Sequence, residues 1–230
     1  MKIGILGTGG VGRTIAEKLV NAGHDVMIGT RDVASTLAKT EKSLTGAPPF
    51  GEWHRSNINV KLGTQAEAAA FGEMLVNATS GSGSVQALSA AGSAMNGKVM
   101  IDISNPLDFS KGMPPTLSIC NDDSLGEEIQ RKFPEVKVVK VLNTLSAPLM
   151  LDPKALPERT NLFLCGNDQG AKGQVKDLLT KFGWEKEDII DLGDITMARG
   201  TEQILPIWVR LWGALGTHMF NFRIVKAASV

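Results

Sequence analysis

The sequence begins Met1-Lys2-Ile-Gly-Ile-Leu6, continues Gly7-Thr8-Gly9-Gly10-Val11-Gly12, and later reads Asp25-Val-Met-Ile-Gly29-Thr30-Arg31-Asp32. The glycines follow a short apolar segment and precede a run with helical periodicity, so the pattern predicts a strand, a glycine turn, a helix and a second strand. In such a turn, Gly7 permits the tight bend, Gly9 lets the backbone approach a pyrophosphate, and Gly12 lets the helix pack on the sheet. The stretch predicts a dinucleotide-binding unit.

The helix after the glycine turn supplies the second part of this expectation. Its first N–H groups have no partner within the helix and carry a partial positive charge, which suits a phosphate. We therefore expect cofactor contacts along the whole turn, at Gly7, Thr8, Gly9, Gly10, Val11 and Gly12.

The end of the second strand indicates which dinucleotide binds. NAD-preferring sites usually place an acid about 20 residues after the glycines, where it binds the ribose 2′-hydroxyl. This sequence has Thr30 and Arg31 at that point, and a hydroxyl beside a planar guanidinium suits a 2′-phosphate. The prediction is NADP(H), bound in part by Thr30 and Arg31. In the alternative interpretation Arg31 is solvated and Asp32 binds the ribose, although Asp32 also fits as a helix N-cap.

Composition excludes several other classes of function. The 230 residues carry 24 Lys and Arg against 24 Asp and Glu, which gives no electrostatic reason to expect nucleic acid or an anionic membrane as partner. The apolar run over residues 204–215 contains Arg210 and is shorter than the roughly 20 residues of a membrane span. Cys120 and Cys165 lack metal-type spacing, so we expect two buried free thiols, no metal site, no leader peptide and a cytoplasmic protein.

Three later strand ends carry small or polar residues. Predicted strands finish at Ala78-Thr79, before a Ser/Gly-rich loop, at Asn105-Pro106, and at Asn143-Thr144. Ligands in open α/β sheets bind beyond the carboxyl ends of the strands. We therefore expect the first two pairs to contact the cofactor, and Asn143 and Thr144 to face the substrate.

The alternation of strands and helices predicts an α/β fold, a Rossmann-type doubly wound and mainly parallel sheet with a small C-terminal helical extension. We expect an NADP-binding domain over residues 1–195, in halves 1–115 and 116–195. Residues 196–230 are expected to form a helix and an extended arm or final strand that packs on this domain or on a dimer partner. Whether His218 or the Trp208/Trp212 segment lines the active site is left open.

Local patterns add three smaller expectations. Two prolines and two glycines predict a surface loop over residues 46–54, including Trp53 and His54. Lys140 lies in a predicted strand and is expected to extend its amine to solvent, with a catalytic lysine as the less favoured alternative. Pro206 should kink or restart the C-terminal helix.

No familiar catalytic motif is present. The sequence contains no H-E-x-x-H, C-x-x-C or G-x-S-x-G pattern and no tyrosine, which excludes the Tyr/Lys pair of the short-chain dehydrogenases. A reaction in which a hydride passes between two redox cofactors needs no such acid or base, because positioning supplies most of the catalysis.

The glycine turn, Gly29-Thr30-Arg31, Asn105-Pro106 and the Trp-rich C-terminal segment together resemble the NADP oxidoreductases that depend on the deazaflavin coenzyme F-420. The oxidoreductase domain of the STEAP metalloreductases is similar. The resemblance implies NADP(H) binding, hydride exchange between the nicotinamide and a stacked flavin-like ring, and a homodimer. The archaeal deazaflavin enzymes tend to carry a histidine where this chain has Asn143. An ordinary flavin, or a flavin that relays electrons to ferric iron, is therefore a further acceptor to consider.

Two other functions stay open. Residues 137–144 are similar to a strand and Asn-Thr turn of the pyrroline-carboxylate reductases, which reduce a cyclic imine, although the tail after Asp194 looks short for their helical dimerisation domain. A non-catalytic NADP-sensing module would also need no acid or base.

Overall fold

The computed structural model describes residues 1–42 and 47–227. In this part of the chain, ten strands run in the order β1 Lys2–Leu6, β2 Asp25–Thr30, β3 Val60–Thr64, β4 Met74–Asn77, β5 Val99–Asp102, β6 Leu107–Asp108, β7 Thr116–Leu117, β8 Lys137–Lys140, β9 Leu162–Cys165 and β10 Ile189–Gly193. The helices are α1 Gly10–Asn21, α2 Val33–Ala38, α3 Phe50–Ser56, α4 Gln65–Phe71, α5 Gly81–Ala91, α6 Leu125–Lys132, α7 Ala147–Met150, α8 Gln169–Lys181, α9 Ala198–Gln203 and α10 Leu205–Leu215. Short 3-10 turns occupy Gly92–Met95, Pro153–Ala155, Lys186–Asp188 and Ile195–Met197.

Eight of the described strands form one sheet in the order β10-β9-β8-β5-β4-β1-β2-β3. The six strands from β8 to β3 in this order are mutually parallel, while β9 pairs antiparallel with β8 and parallel with β10. The chain order reverses between β1 and β4, and such a switch point opens a crevice at the carboxyl ends of the strands. The mainly parallel, doubly wound sheet is thus confirmed.

Helices cover both faces of the sheet, which explains why its central strands are apolar on both sides. On one face the core includes Ile15 and Leu19 of α1 and Val175 of α8, all buried. On the other face it includes Leu88 of α5 and Ile129 of α6. The carboxyl ends of the central strands lie between these layers, where an open α/β sheet binds its ligands.

The segment that precedes β3 differs from the expected loop. Residues Phe50–Ser56 form α3, which begins directly after Pro49, and Trp53 is only 7% exposed. Its ring packs on Phe50, and its indole N–H donates to Glu17. The loop prediction was wrong here because proline at a helix start is as favourable as proline in a turn. Gly46, the first residue of the predicted loop, lies outside the described residues.

The C-terminal extension follows the prediction in its helices. Pro206 lies in the first turn of α10, so the helix restarts after α9 as expected. The following residues form an extended arm without a strand in the described range. The arm is fixed at Asn161, whose N–H donates to the Phe222 carbonyl at 2.9 Å. The N–H of Ile224 donates to the Asn161 side chain at 2.7 Å.

The two cysteines have different environments. Cys165 is buried, and burial raises the pKa of its thiol to about 12, so it is an inert core residue. Cys120 is exposed, and the expectation that it is buried was wrong. Within the described residues, no helix has the length and apolar character to cross a membrane.

Candidate functional site

The glycine turn lies at the crevice between β1 and β4. Gly7 has φ +122°, and a Cβ there would lie 2.4 Å from the Ala78 carbonyl oxygen. A Cβ on Gly12 would lie 2.6 Å from the Gly7 carbonyl oxygen. Both glycines are therefore required by the fold itself, since these contacts are with backbone that cannot move aside.

Gly9 is different, and its difference points to a ligand. Its φ of −70° suits any residue, and a Cβ there would meet nothing within 4 Å. Gly9 is also the N-cap of α1, with no side-chain cap and no acid in the first helical turn. The open space above it faces free N–H groups and the positive end of a 12-residue helix, which fits a bound pyrophosphate.

Arg13 fixes the turn from the helix side. Its Nε donates to the Thr8 carbonyl at 3.0 Å, and its NH1 group donates to the Pro48 carbonyl at 2.6 Å. The guanidinium also lies 5.1 Å from the centre of the Phe50 ring. Arg13 thus ties α3 to the glycine turn, a contact that the sequence pattern did not reveal because the partners are 35 residues away.

A cavity of about 690 Å³ runs from the glycine turn along the ends of β2 and β4. It brings together seven of the expected cofactor residues: Gly7, Thr8, Gly9, Thr30, Arg31, Ala78 and Thr79. Gln65 and residues of α5, including Ser82, complete its walls. A cavity of this volume lies within the usual range for small-molecule and cofactor sites. The roles of its residues as cofactor contacts remain predictions.

Asp32, at the end of β2, lines this cavity and also has a role in the fold. Its carboxylate accepts from the Ser35 N–H at 2.6 Å, and this hydrogen bond lowers the pKa of Asp32. Asp32 is therefore the N-cap of α2. Arg31 is exposed at the cavity wall, whereas Thr30 is 7% exposed and shares a 2.6 Å hydrogen bond with the Thr36 hydroxyl.

Two cavity residues at this corner were missed from the sequence. Ser35 and Lys39 follow the cap of α2 and line the same cavity as Arg31. A second cation and a hydroxyl beside Arg31 give the corner the donors that a phosphate needs. Ser35 lies three residues after the Asp32 cap and Lys39 lies four residues after Ser35, a helical spacing that could have identified them.

We expect Arg31→Ala to weaken NADPH binding and leave NADH binding nearly unchanged. The loss should be about 1–3 kcal/mol, the scale of a hydrogen bond to a charged group. Isothermal titration with both nucleotides measures it. Arg55→Ala is the matched control, since Arg55 is exposed on α3 and lines neither described cavity. An equal loss for NADPH and NADH would contradict the 2′-phosphate assignment.

A second cavity, of about 210 Å³, lies at the ends of β4 and β5. It is lined by Val11, Ala78, Thr79, Ser80, Gly81, Ile103, Ser104, Asn105, Leu107 and Phe109. None of these side chains is ionisable. The two cavities share Ala78, Thr79 and Ser80, so one elongated ligand could extend from the first into the second.

Pro106 does not line this cavity but holds its outer wall. Its carbonyl accepts from the Ser118 N–H at 2.8 Å, which joins the two sides of the β6–β7 hairpin. The hairpin presents Phe109, which is 53% exposed, at the cavity mouth. A Cβ on Gly81 would lie 1.9 Å from the Asn105 carbonyl oxygen, so the start of α5 packs directly on this strand end.

Asn143 and Thr144 lie deeper than expected. They are 2% and 1% exposed and line neither described cavity. Asn143 instead forms a reciprocal pair with Asn105: its Nδ2 donates to the Asn105 Oδ1 at 3.0 Å, and the Asn105 Nδ2 donates to the Asn143 carbonyl at 2.9 Å. Contact of these two residues with a substrate remains a prediction, while Asn143 has an observed role in orienting Asn105.

Lys140 is completely buried, so the expectation of a solvent-facing lysine was wrong. Its ammonium lies 2.9 Å from the Asp102 carboxylate and 2.7 Å from the Glu202 carboxylate, and it donates to the Ser104 carbonyl at 2.6 Å. Burial alone would lower the pKa of Lys140, but the two carboxylates outweigh it and raise the pKa. Sequence reasoning could not find this cluster, because Glu202 is in the C-terminal extension.

The aromatic residues of the C-terminal segment contact one another. Trp208 lies 5.8 Å from Trp212 and 5.4 Å from Phe220, measured between ring centres, and His218 meets the Trp212 ring edge-on at 6.1 Å. None of the four lines either described cavity. The described structure thus gives no active-site contact to His218 or to the Trp208/Trp212 segment.

The fold and the glycine turn at its switch point define a dinucleotide-binding protein. Comparison with known proteins identifies the family within this class. Residues 2–106 match the family of NADP oxidoreductases described as coenzyme F420-dependent. A crystal structure from Arthrobacter sp. FB24, provisionally described as an F420-dependent NADP reductase, is 54% identical. It covers 98% of this chain and 100% of its own, with a TM-score of 0.91.

Two curated relatives have named activities. The F420-dependent NADP reductase of Methanothermobacter marburgensis is 29% identical over 92% of both chains. The metalloreductase STEAP3 of Rattus norvegicus is 27% identical over 90% of this chain but only 38% of its own length. The chain therefore belongs to the family of coenzyme F420-dependent NADP oxidoreductases and is an NADP-dependent oxidoreductase.

Proposed function

We propose that this protein transfers a hydride between NADP(H) and a flavin or deazaflavin ring of the F-420 type. The observation that carries the proposal is the 210 Å³ cavity, whose lining contains no ionisable side chain. A site that must protonate its substrate places an acid within hydrogen-bond reach. A site that exchanges a hydride between two rings needs shape, apolar surface and exclusion of side reactions instead.

The larger cavity would hold the adenosine and phosphate parts of NADP(H), with Gly9 and the α1 N-terminus at the pyrophosphate and Arg31 at the 2′-phosphate. When bound, the cofactor supplies a nicotinamide ring that gives up or accepts a hydride. Thr79 and Asn105 offer polar groups for the ring's carboxamide, and Val11 and Ile103 offer apolar contact. The chain's contribution to catalysis is to hold the ring in one orientation.

The outer wall of the small cavity suits a second flat ring. Phe109 and Leu107 of the β6–β7 hairpin are partly exposed at its mouth, and Phe109 is 53% exposed. An aromatic face beside a cleft stacks readily on a flat heterocycle. The lining offers no proton, so the proton that completes a reduced deazaflavin or flavin would have to come from solvent. An imine substrate would need protonation at nitrogen, which this lining does not supply.

We expect NADPH oxidation with deazaflavin, FMN or FAD as acceptor, and little or none with pyrroline carboxylate. Steady-state assays at 340 nm with each acceptor, and with a ferric chelate in the presence and absence of flavin, separate the alternatives. Turnover with pyrroline carboxylate alone would show an imine reductase. Tight NADPH binding without turnover on any acceptor would show a sensor, and either result would overturn the proposal.

A substitution in the β6–β7 hairpin tests the acceptor site in the same assay. Phe109→Ala should raise the KM for the flavin-type acceptor severalfold and leave the Kd for NADPH unchanged. Met113→Ala is the matched control, because Met113 is 65% exposed between β6 and β7 and does not line the cavity. Equal effects of the two substitutions would place the acceptor elsewhere.

The oligomeric state and the cellular location of the protein remain proposals. We propose a homodimer, for which exposed Ile207 and Leu215 on α10 offer apolar surface. Sedimentation velocity tests it directly, and a monomer at all concentrations would contradict it. The cytoplasmic location, and the expectation of no nucleic-acid or membrane partner, likewise stay predictions.

A further inference from the structure

The inner wall of the small cavity is backed by buried charge. Ser104 lines the cavity, and both its N–H and its hydroxyl donate to the same oxygen of Asp102, at 3.1 and 2.7 Å. The other Asp102 oxygen accepts from Lys140. Asp102 itself is fully buried. A carboxylate therefore lies one side chain behind the cavity surface.

The hydrogen bonds show that both carboxylates of the cluster are ionised. Asp102 is contacted by donors at both oxygens, including the Asn77 amide at 2.8 Å. Glu202 accepts from the Leu125 and Gly126 N–H groups and from Lys140. A carboxyl group that only accepts hydrogen bonds is in its charged form.

Two anions thus share one cation, so the cluster keeps an excess of negative charge. The positive end of α6 offsets part of it, but at Glu202, whose oxygens face the first N–H groups of that helix. Of the other groups close by, the Cys165 thiol is neutral because burial raises its pKa to about 12. The neighbouring Arg199–Glu127 pair is neutral as a unit. Lys172 is paired with Asp191. The excess negative charge includes the Asp102 carboxylate, which lies directly behind the Ser104 side chain at the cavity wall.

Asp102 also sets the direction of the hydroxyl groups at this wall. The Ser104 hydrogen is directed inward to Asp102, which leaves an oxygen lone pair for the cavity. Because the Asn77 Nδ2 donates to Asp102, its Oδ1 points outward and accepts from the Thr79 hydroxyl at 2.7 Å. Thr79 lines both cavities. Two hydroxyls are thereby presented to the ligand as acceptors rather than donors.

We propose that Asp102, through Ser104, Asn77 and Thr79, makes this site bind the oxidised nicotinamide ring more tightly than the reduced ring. The oxidised ring is a cation and the reduced ring is neutral, so negative charge and outward lone pairs favour the former. Asp102 is a positioning residue, because it acts through the wall and does not touch the ring. The inference rests on the proposed function in one respect, that the nicotinamide enters the small cavity.

Asp102→Asn tests the proposal by nucleotide binding alone. Isothermal titration of the purified protein gives Kd values for NADP⁺, NADPH and 2′-phospho-ADP-ribose, which lacks the nicotinamide. The ratio of the NADPH Kd to the NADP⁺ Kd should fall about three- to tenfold in the variant, as expected for loss of a nearby charge. The Kd of 2′-phospho-ADP-ribose should not change.

Asp191→Asn is the matched control. Asp191 also pairs with a buried lysine, Lys172, at 2.9 Å, but on β10 at the far edge of the sheet. The Asp191→Asn substitution should lower the Tm and leave the Kd ratio unchanged. Glu202→Gln removes charge from the same cluster but leaves the ion pair between Lys140 and Asp102. It should therefore lower the Kd ratio less than Asp102→Asn does. This variant replaces Asp102→Asn in the test if Asp102→Asn does not fold.

A Kd ratio equal to that of the unmodified protein, or an equal loss of affinity for all three nucleotides, would show a purely structural role and overturn the inference. Failure of the proposed function has a different signature. In that case the acceptor assays would show no turnover while the Kd ratio still shifts with Asp102.

Discussion

Lys140→Met should lower the free energy of unfolding by about 3–5 kcal/mol, the scale of losing one member of a buried ion pair. Lys140, Asp102 and Glu202 are all essentially inaccessible to water. Removing the ammonium leaves two buried carboxylates that repel each other and have neither water nor a counter-ion. Urea denaturation followed by circular dichroism measures the change.

Two companion variants make the result specific. Lys172→Met removes another buried lysine, but its partner Asp191 is 25% exposed and can be hydrated, so the loss should be only about 1 kcal/mol. Adding Asp102→Asn and Glu202→Gln to Lys140→Met should restore part of the stability, because no charge then stays buried. Equal losses for the two lysine variants would mean that side-chain packing, not charge, dominates at Lys140.

The pH dependence follows from the same cluster. The carboxylates raise the folded-state pKa of Lys140 above its ordinary value of 10.5. A raised lysine pKa contributes stability that is complete below the unfolded pKa and is lost as the pH rises through the folded one. The lysine's contribution should therefore be constant across the neutral range and fall only in strong alkali.

Gly9→Val should abolish NADPH binding, weakening it by at least about a hundredfold, while leaving the Tm nearly unchanged. The valine side chain would occupy the space that the pyrophosphate needs above the α1 N-terminus. Nothing within 4 Å of the new Cβ would be displaced in the free protein. A titration with NADPH and a thermal melt on the same sample separate the two effects.

Gly173→Val and Gly12→Val are its controls. Gly173 lies in α8 with nothing within 4 Å of a Cβ, so its substitution should leave NADPH binding intact. Gly12→Val should lower the Tm markedly, because its Cβ would lie 2.6 Å from backbone. Unchanged NADPH affinity in Gly9→Val would show that the glycine turn serves the fold alone.

The parts of this structure that sequence predicts well are those with local causes. Gly7 and Gly12 are fixed by the turn that they make, and the strand ends at Ala78 and Asn105 follow from alternating elements in one parallel sheet. The position of Arg31 at the cavity wall was also predictable, because Arg31 follows its strand directly. Local sequence patterns therefore predict the cavity residues of the glycine turn and of these strand ends.

What the sequence could not reveal depends on distant partners. A lysine in Lys137-Val-Val-Lys140 can face solvent or core, and its buried partners are distant in sequence: Asp102 lies 38 positions earlier and Glu202 lies 62 positions later. The helix at Phe50 likewise depends on Trp53 reaching Glu17 across the fold. Cys120 is exposed because its segment lies outside both helix layers, a matter of tertiary placement.

The contact of Glu202 with the α6 N-terminus and with Lys140 has a consequence for biosynthesis. During synthesis, Asp102 and Lys140 leave the ribosome well before α9. Leu125 and its partner Glu202 are 77 positions apart. Until α9 emerges, Lys140 has the Asp102 carboxylate but not that of Glu202, and the Leu125 and Gly126 N–H groups of α6 lack their acceptor. The polar contacts behind the centre of the sheet are therefore completed only when α9 has been synthesised.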